Sequence, residues 1–257
     1  MSLGSTGKKI AVALLLVVAT ALGGCATPPT NPEQRKYFDQ VNDPLEPTNR
    51  VIYKFNHIIY GMLLKPPAKL YTVLVPDAGQ RGVHNVLENM SDPDIFVNQL
   101  LEGRFDYAGI TLGRFIINST LGIGGIFDVA RDTFHLDPHH ADLGMTFALW
   151  GIKPGPYLVL PLFGPSDPRD AIGLGIDTYF DPLDMYLDRH SLSDLVLAQS
   201  GATALDLGAR ELPALDEIER TSLDPYAAVR SMYRQHRYHQ IHGQPDTANM
   251  PDANPPK

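Results

Sequence analysis

Residues 105–127 constrain the fold more than any other segment. From Phe105 to Phe127 the chain is apolar nearly all the way around a helix, interrupted by Asp106, Arg114 and Asn118. A membrane-spanning helix needs about 20 predominantly apolar residues, and Asp106 and Arg114 spoil that run. Two arrangements remain. The helix is the buried core of a globular domain, or it lies at the level of a bilayer with apolar residues toward lipid and polar ones toward an interior. Gly109 and Gly113 add the small-residue spacing that lets helices approach closely.

The N-terminus bears on that choice. Lys8 and Lys9 precede Ile10–Leu22, a run that is apolar apart from Thr20. A helix of that length reaches only about 20 Å, too short for a hydrocarbon core of about 30 Å. The pattern is that of an export signal, expected over residues 1–24. Leu22-Gly23-Gly24-Cys25 matches a bacterial lipobox, in which the cysteine is acylated and becomes the mature N-terminus. The thiol is the group able to take a diacylglyceryl chain. Cys25 is the only cysteine, so no intramolecular disulfide is possible. Ala26 after it, where Asp would hold such a protein at the inner membrane, favours the outer membrane. Each buried acyl CH₂ contributes about 0.8 kcal/mol, so several chains anchor firmly.

Residues 25–41, rich in Pro, Thr, Asn and Gln, read as an acylated N-terminus and tether. Residues 42–242 read as a single domain. Residues 243–257 hold four prolines and almost no large apolar residue, and are expected to be disordered. The chain is 44% hydrophobic, as a globular protein is. Its formal charge of −8 argues against a nucleic-acid groove, which needs clustered Lys and Arg.

Helical spacing dominates the domain. Asp43-Pro44 is an N-cap pair, with Pro47 delaying the start to Thr48. Val51, Ile52, Phe55, Ile58, Ile59, Met62 and Leu63 then mark one helix face, ended by Pro66-Pro67. Further helices are expected over 80–90, 94–102 (capped by Ser91-Asp92-Pro93), 105–118, 201–207 and 224–241. The best strand signal is Tyr157–Leu160, between Gly155-Pro156 and Pro161. It is too short for a sheet and suits a small hairpin or an extended loop. A mainly α protein is expected.

Four constellations bear on catalysis. His135-Leu-Asp137-Pro-His139-His140-Ala-Asp142 is dense in metal ligands but has neither zinc-site spacing nor a second ligand set. Gly164-Pro-Ser166-Asp-Pro168 carries Pro where a nucleophile elbow needs Gly. Gly122-Ile-Gly124-Gly125 lacks dinucleotide-fold spacing. Asp177, Asp181 and Asp184 are a possible carboxylate pair set in a turn. None makes a convincing catalytic site, and no cofactor or metal is expected. Arg230, Arg234 and Arg237, spaced four and three apart, share a helix face suited to lipid phosphates or an acidic partner.

A run of short motifs carries a resemblance. Asn42-Asp-Pro-Leu-Glu-Pro-Thr-Asn-Arg50 leads into Tyr53-Lys-Phe55-Asn56, followed by Lys65-Pro66, Tyr71, Val75-Pro76, Arg81, Asn85 and Asn89. Then come Arg114-Phe-Ile-Ile-Asn118, Gly122-Ile-Gly-Gly-Ile-Phe-Asp128, Trp150-Gly151, Gly155-Pro-Tyr-Leu-Val-Leu-Pro161 and Phe163-Gly-Pro-Ser166 through Arg169-Asp170. In this order the chain resembles the MlaA (VacJ) family over residues 42–241. It departs at Thr48, where the family has Phe, and at Asp142-Leu-Gly-Met-Thr-Phe-Ala148, where the family has Asp-Phe-Gly-Gln-Thr-Leu-Gly.

The resemblance implies a ring of amphipathic helices with little or no β structure, embedded in one leaflet of the outer membrane around an amphipathic channel. It implies an outer-membrane lipoprotein on the periplasmic side. Such a protein removes mislocalised phospholipid from the outer leaflet and passes it to a periplasmic carrier feeding an inner-membrane ABC transporter. It also implies association with trimeric porins, no nucleic-acid partner and no covalent chemistry. On this reading Tyr53, Phe55, Asn56, Asp106 and Arg114 are channel candidates. Gly151, Pro154, Gly155, Pro156, Tyr157 and Leu160 form a stiff segment expected to line or gate the channel. Two alternatives stay open: a porin-binding scaffold that passes no lipid, and a periplasmic hydrolase using the His135–Asp142 cluster.

Overall fold

The computed structural model describes residues 28–32, 35 and 41–243. The segment expected to be an export signal, Cys25, most of the expected tether and the tail beyond Gly243 lie outside the described residues. These form two compact units. One comprises the chain up to Tyr60 with Pro154–Pro168; the other comprises Gly61–Lys153 with the chain from Arg169 on.

The first unit pairs helix α1 (Glu46–Ile59) with a hairpin of β1 (Leu158–Leu160) and β2 (Gly164–Ser166). Pro47 sits in the first turn of α1, where its missing N–H costs nothing. The Glu46–Arg50 ion pair, 2.7 Å, supports that turn from i to i+4. The strands are antiparallel, Leu158 opposite Ser166 and Leu160 opposite Gly164. Leu162 and Gly164 turn the chain at φ of +70° and +82°.

The apolar face of α1 is not its buried face. Val51, Phe55 and Ile58 are exposed, whereas Asn49 and Asn56 are 2% and 3% exposed. Nor does Pro66-Pro67 end the helical run. A π-helical turn, Tyr60–Leu64, carries α1 into α2 (Lys65–Leu74), with the prolines in the first turn of α2. Proline is tolerated there because first-turn N–H groups have no intrahelical partner.

The second unit also holds α3 (Asp77–Leu101), α4 (Phe105–Thr120), α5 (Val129–Phe134), α6 (Leu143–Leu149), α7 (Pro168–Phe180), α8 (Pro182–Arg189), α9 (Ser193–Thr221) and α10 (Pro225–His242). The two helices expected over 80–90 and 94–102 are one helix, α3, running through Pro93. Proline within a helix costs about 3 kcal/mol by removing one hydrogen bond and crowding the previous turn. Both halves of α3 are held by buried side chains, Asn89 and Asp92 before the proline and Asn98 and Gln99 beyond it. Their shared burial offsets the defect.

α3 and α4 form an antiparallel pair through a tight turn at Gly103, φ +73°. α9 runs along α2 and α3. At Gly208 a side chain would meet Leu64 and Ala68 at 3.1–3.2 Å, so glycine sets that close approach. Three side-chain caps are present. Asp142 accepts from the Met145 N–H, Asp181 from those of Leu183 and Asp184, and Asp224 from that of Ala227. No described helix is long and apolar enough to cross a membrane.

Candidate functional site

In the first unit, asparagines on α1 do the work of a sheet neighbour. Asn49 Nδ2 donates to Asp43 Oδ1 (2.9 Å) and to the Tyr157 carbonyl (3.0 Å), while its Oδ1 accepts from the Val159 N–H (3.0 Å). Two turns on, Asn56 Nδ2 donates to the Leu160 carbonyl and its Oδ1 accepts from the Leu162 N–H, both at 2.8 Å. An asparagine side chain carries the donor and acceptor of a backbone amide, so the pair continues the ladder from a helix. Asn42 holds the hairpin's base, donating to the Gly155 carbonyl at 2.8 Å and accepting from the Tyr157 N–H at 2.9 Å. Tyr60 Oη donates to the Leu162 carbonyl at its tip.

The hairpin candidates fall around these clamps. Tyr157 is buried, Leu160 and Pro156 are half-buried, and Pro154 is exposed. Gly155 sits at φ +82°, with Pro168 where a side chain would point. Tyr53 is half-buried and Phe55 exposed, on either side of buried Asn56. Gly151 belongs to the second unit, exposed at φ +89°. Asn49 and Asn42 were missed as site residues. The available signal was the seven-residue interval from Asn49 to Asn56, which places both on one helix face.

In the second unit the α4 segment resolves into two faces. Ala108, Thr111, Arg114 and Asn118 are buried, while Phe105, Leu112 and Ile116 are exposed. Arg114 donates to the Leu136 carbonyl at 2.6 Å and to Asp128 at 3.2 Å. Asn118 donates to Asp128 at 3.0 Å and accepts from the Ala130 N–H at 2.9 Å. Burial opposes ionisation of Asp128, but hydrogen bonds from Asn118, Arg114 and the Arg131 N–H outweigh it and lower its pKa. Across from it, burial pushes Asp92 up to about 7; Glu88 and Asp128 add to the rise and Arg114 opposes it. Asp106 is exposed in the first turn of α4.

A second polar network joins α10 to α6 and α7. Arg237 makes a two-pronged contact with Asp142 at 2.6 and 2.7 Å and reaches Asp170 at 2.6 Å. Tyr233 donates to Asp170 at 2.7 Å. Burial raises the cost of charge on Asp142, yet bonds from Arg237 and His140 hold its carboxyl well below the usual range. Arg230 is buried, 5.4 Å from the Tyr226 ring centre, and Arg234 is half-buried. Beside this network, Asn98 donates to Asp94 and Asp177, and Asp177 accepts from the Leu143 N–H at 2.9 Å. Burial, then Asp177, Asp181 and Asp142, push Asp94 up to about 7 against His140.

Three of the catalytic candidates make local contacts. His135 closes α5 in the left-handed conformation, and His139 stacks on Tyr107 at 4.2 Å. Ser166 Oγ donates to the Asp167 carbonyl. Among the described residues, no three His, Cys, Asp or Glu side chains are grouped to hold a metal ion.

Burial is therefore inverted in both units. Polar and charged side chains outnumber apolar ones among the buried described residues, while large apolar side chains stand exposed on most helices. Soluble proteins rarely expose contiguous apolar patches beyond a few hundred Å².

The fold and this burial define a mainly helical protein with a polar interior and an apolar exterior. The chain belongs to the MlaA lipoprotein family, whose model matches residues 41–240. It is similar to the intermembrane phospholipid transport system lipoprotein MlaA of Haemophilus influenzae, 32% identical with 86% of each chain covered. To the protein of the same name from Escherichia coli it is 30% identical, covering 88% of this chain and 87% of that one. An uncharacterised protein of Rickettsia prowazekii is 36% identical over 75% of each chain. A solved structure described as the structural basis for maintenance of bacterial outer membrane lipid asymmetry superposes with a TM-score of 0.66 at 30% identity. It covers 77% of this chain and 98% of the other.

Proposed function

We propose that this chain is an outer-membrane lipoprotein that extracts mislocalised phospholipid from the outer leaflet and hands it to a periplasmic carrier, so keeping the two leaflets different. The observation that carries this reading is the inverted burial. A phospholipid headgroup crossing hydrocarbon without partners pays a large desolvation cost. A ring of helices with apolar residues toward acyl chains and polar residues around a channel lowers that cost. The transport role of the Haemophilus and Escherichia relatives supports the reading, since each aligns over most of its length.

In this account Cys25 carries the acyl anchor, on the periplasmic side of the outer membrane. Residues 42–242 act as one module embedded in a single leaflet. The hairpin segment from Gly151 to Leu160, with Tyr53, Phe55 and Asn56, lines or gates the channel. Asp106 and Arg114 contribute to its polar side, and Arg234 lies toward lipid headgroups or a partner. Trimeric porins hold the protein in place, and the carrier delivers lipid to an inner-membrane ABC transporter. The protein moves lipid without making or breaking covalent bonds.

Native mass spectrometry of the protein purified in mild detergent tests this. The account expects intact phospholipid bound and any porin co-purifying. A porin complex without lipid would support a scaffold instead, and lipid cleaved during incubation would support a hydrolase.

A further inference from the structure

On α3 one histidine stands between two carboxylates. His84 Nδ1 lies 2.8 Å from Asp206 Oδ2 of α9, and its Nε2 lies 3.2 Å from Glu88 Oε1, one turn further along α3. A neutral imidazole carries one N–H and one lone pair, so either tautomer turns that lone pair on an anionic oxygen. Only the imidazolium presents an N–H to both. The carboxylates address opposite nitrogens of the ring, so a single metal ion could not take the proton's place.

Burial and charge balance point the same way. The Asp206 side chain is 8% exposed, whereas those of His84 and Glu88 are 30% and 41% exposed. A carboxylate so buried needs paired cations. Asp206 has His84 on one side and Arg210, one turn further along α9, at 3.1 and 3.2 Å from its two oxygens. His84 and Arg210 balance Asp206 and Glu88 only while the ring is charged. From α2, Tyr71 lies within electrostatic range of Asp206 and Arg210, its hydroxyl buried without a partner. The loop that packs on this stretch of α3 at Gly82, residues 121–127, has no titratable side chain.

The same ring ties α9 to α3. α9 packs closely on α2 at Gly208, two residues from Asp206, and further along it Asp216 pairs with Lys65 of α2 at 2.6 Å. The tie to α3 depends instead on histidine, the side chain whose charge ordinarily changes between about pH 5 and 8.

We infer that His84 is a proton-operated clamp: its imidazolium holds α9 on α3 through Asp206, Glu88 keeps the proton on the ring, and loss of that proton loosens α9. The proton leaves Nε2 for water, because exposed Glu88 can turn to solvent and buried Asp206 cannot. Nδ1–H then stays on Asp206 as a neutral donor, roughly half as strong as a charged one. The clamp belongs to the fold and holds whether or not the chain carries lipid.

Hydrogen exchange read by mass spectrometry, on the full-length protein in mild detergent, tests this. Exchange of the α9 segment around Asp206 is compared in wild type, His84→Gln and Glu88→Gln from about pH 5 to about pH 8, corrected for the intrinsic rate at each pH. Comparing variants at one pH removes the pH dependence that other buried carboxylates give the whole fold. The clamp predicts exchange about fivefold slower in wild type than in His84→Gln at the acid end, and equal rates at the alkaline end. Glu88→Gln, a change at an exposed position, should move the loosening of α9 to lower pH, since an anion beside Nε2 favours the charged ring. A wild-type advantage over His84→Gln that is constant across the range, or absent throughout it, overturns the clamp. So does a loosening that stays at the same pH in Glu88→Gln, and this comparison decides alone should His84→Gln fail to fold.

Discussion

Asn49→Ala is the sharpest perturbation of the hairpin. Asn49 is 2% exposed and makes three hydrogen bonds, two given and one received. Each contributes about 1 kcal/mol net, and the stranded Tyr157 carbonyl and Val159 N–H stay buried without water. The loss is about 3 kcal/mol, against a typical total of about 5–15 kcal/mol. For a chain of this size that lowers Tm by roughly 6–12 °C. Asn56→Ala removes two bonds and should cost about 2 kcal/mol. Urea melts followed by circular dichroism, in detergent, measure both. Hydrogen exchange at the Val159 and Leu162 amides reads the clamp directly, since Asn49 and Asn56 are their acceptors. A cost below 1 kcal/mol for Asn49→Ala, with Val159 exchange unchanged, would refute the clamp.

Other outcomes follow from the second unit. Gly173→Ala places a methyl 2.5 Å from the Gly144 backbone nitrogen, and overpacking of this kind should lower stability by about 1–3 kcal/mol in thermal melts. Arg237→Met leaves Asp142 and Asp170 without their shared cation; with Asp142 partly exposed, the cost should be about 2–4 kcal/mol. Stability should peak near pH 4. Asp92 and Asp94 have raised pKa values, so their contribution is complete below about 4 and is lost as pH rises to about 7. Asp142 and Asp170 are lowered, so their contribution is present above about 4 and is lost on further acidification. Asp94→Asn should flatten the slope between pH 5 and 7, and an unchanged Tm–pH profile would refute that assignment.

Much of the helical framework was legible because helix signals are local. The apolar spacing over 105–118 lies within α4, and the Asp224-Pro225 pair marks the start of α10. Three features were not. Pro93 reads as a helix start, since local rules cannot see buried Asn and Asp residues holding both sides together. The α1 apolar stripe reads as a core face, since sequence alone does not say whether water or something apolar surrounds a helix. Arg237 pairs with residues 95 and 67 positions away, a distance at which no periodicity operates. β2, Gly164-Pro165-Ser166, has almost no strand character of its own and pairs with β1 because α1 asparagines fix the other edge of that strand.

Phospholipid on the cell surface tests the central claim most directly. A deletion strain is compared with strains carrying the wild-type gene or Cys25→Ala, using a label that reaches only the outer leaflet. The account predicts that exposed phospholipid rises on deletion, returns to normal with the wild-type gene and stays high with Cys25→Ala. Unchanged surface phospholipid on deletion, with porin assembly or envelope strength altered instead, would contradict it.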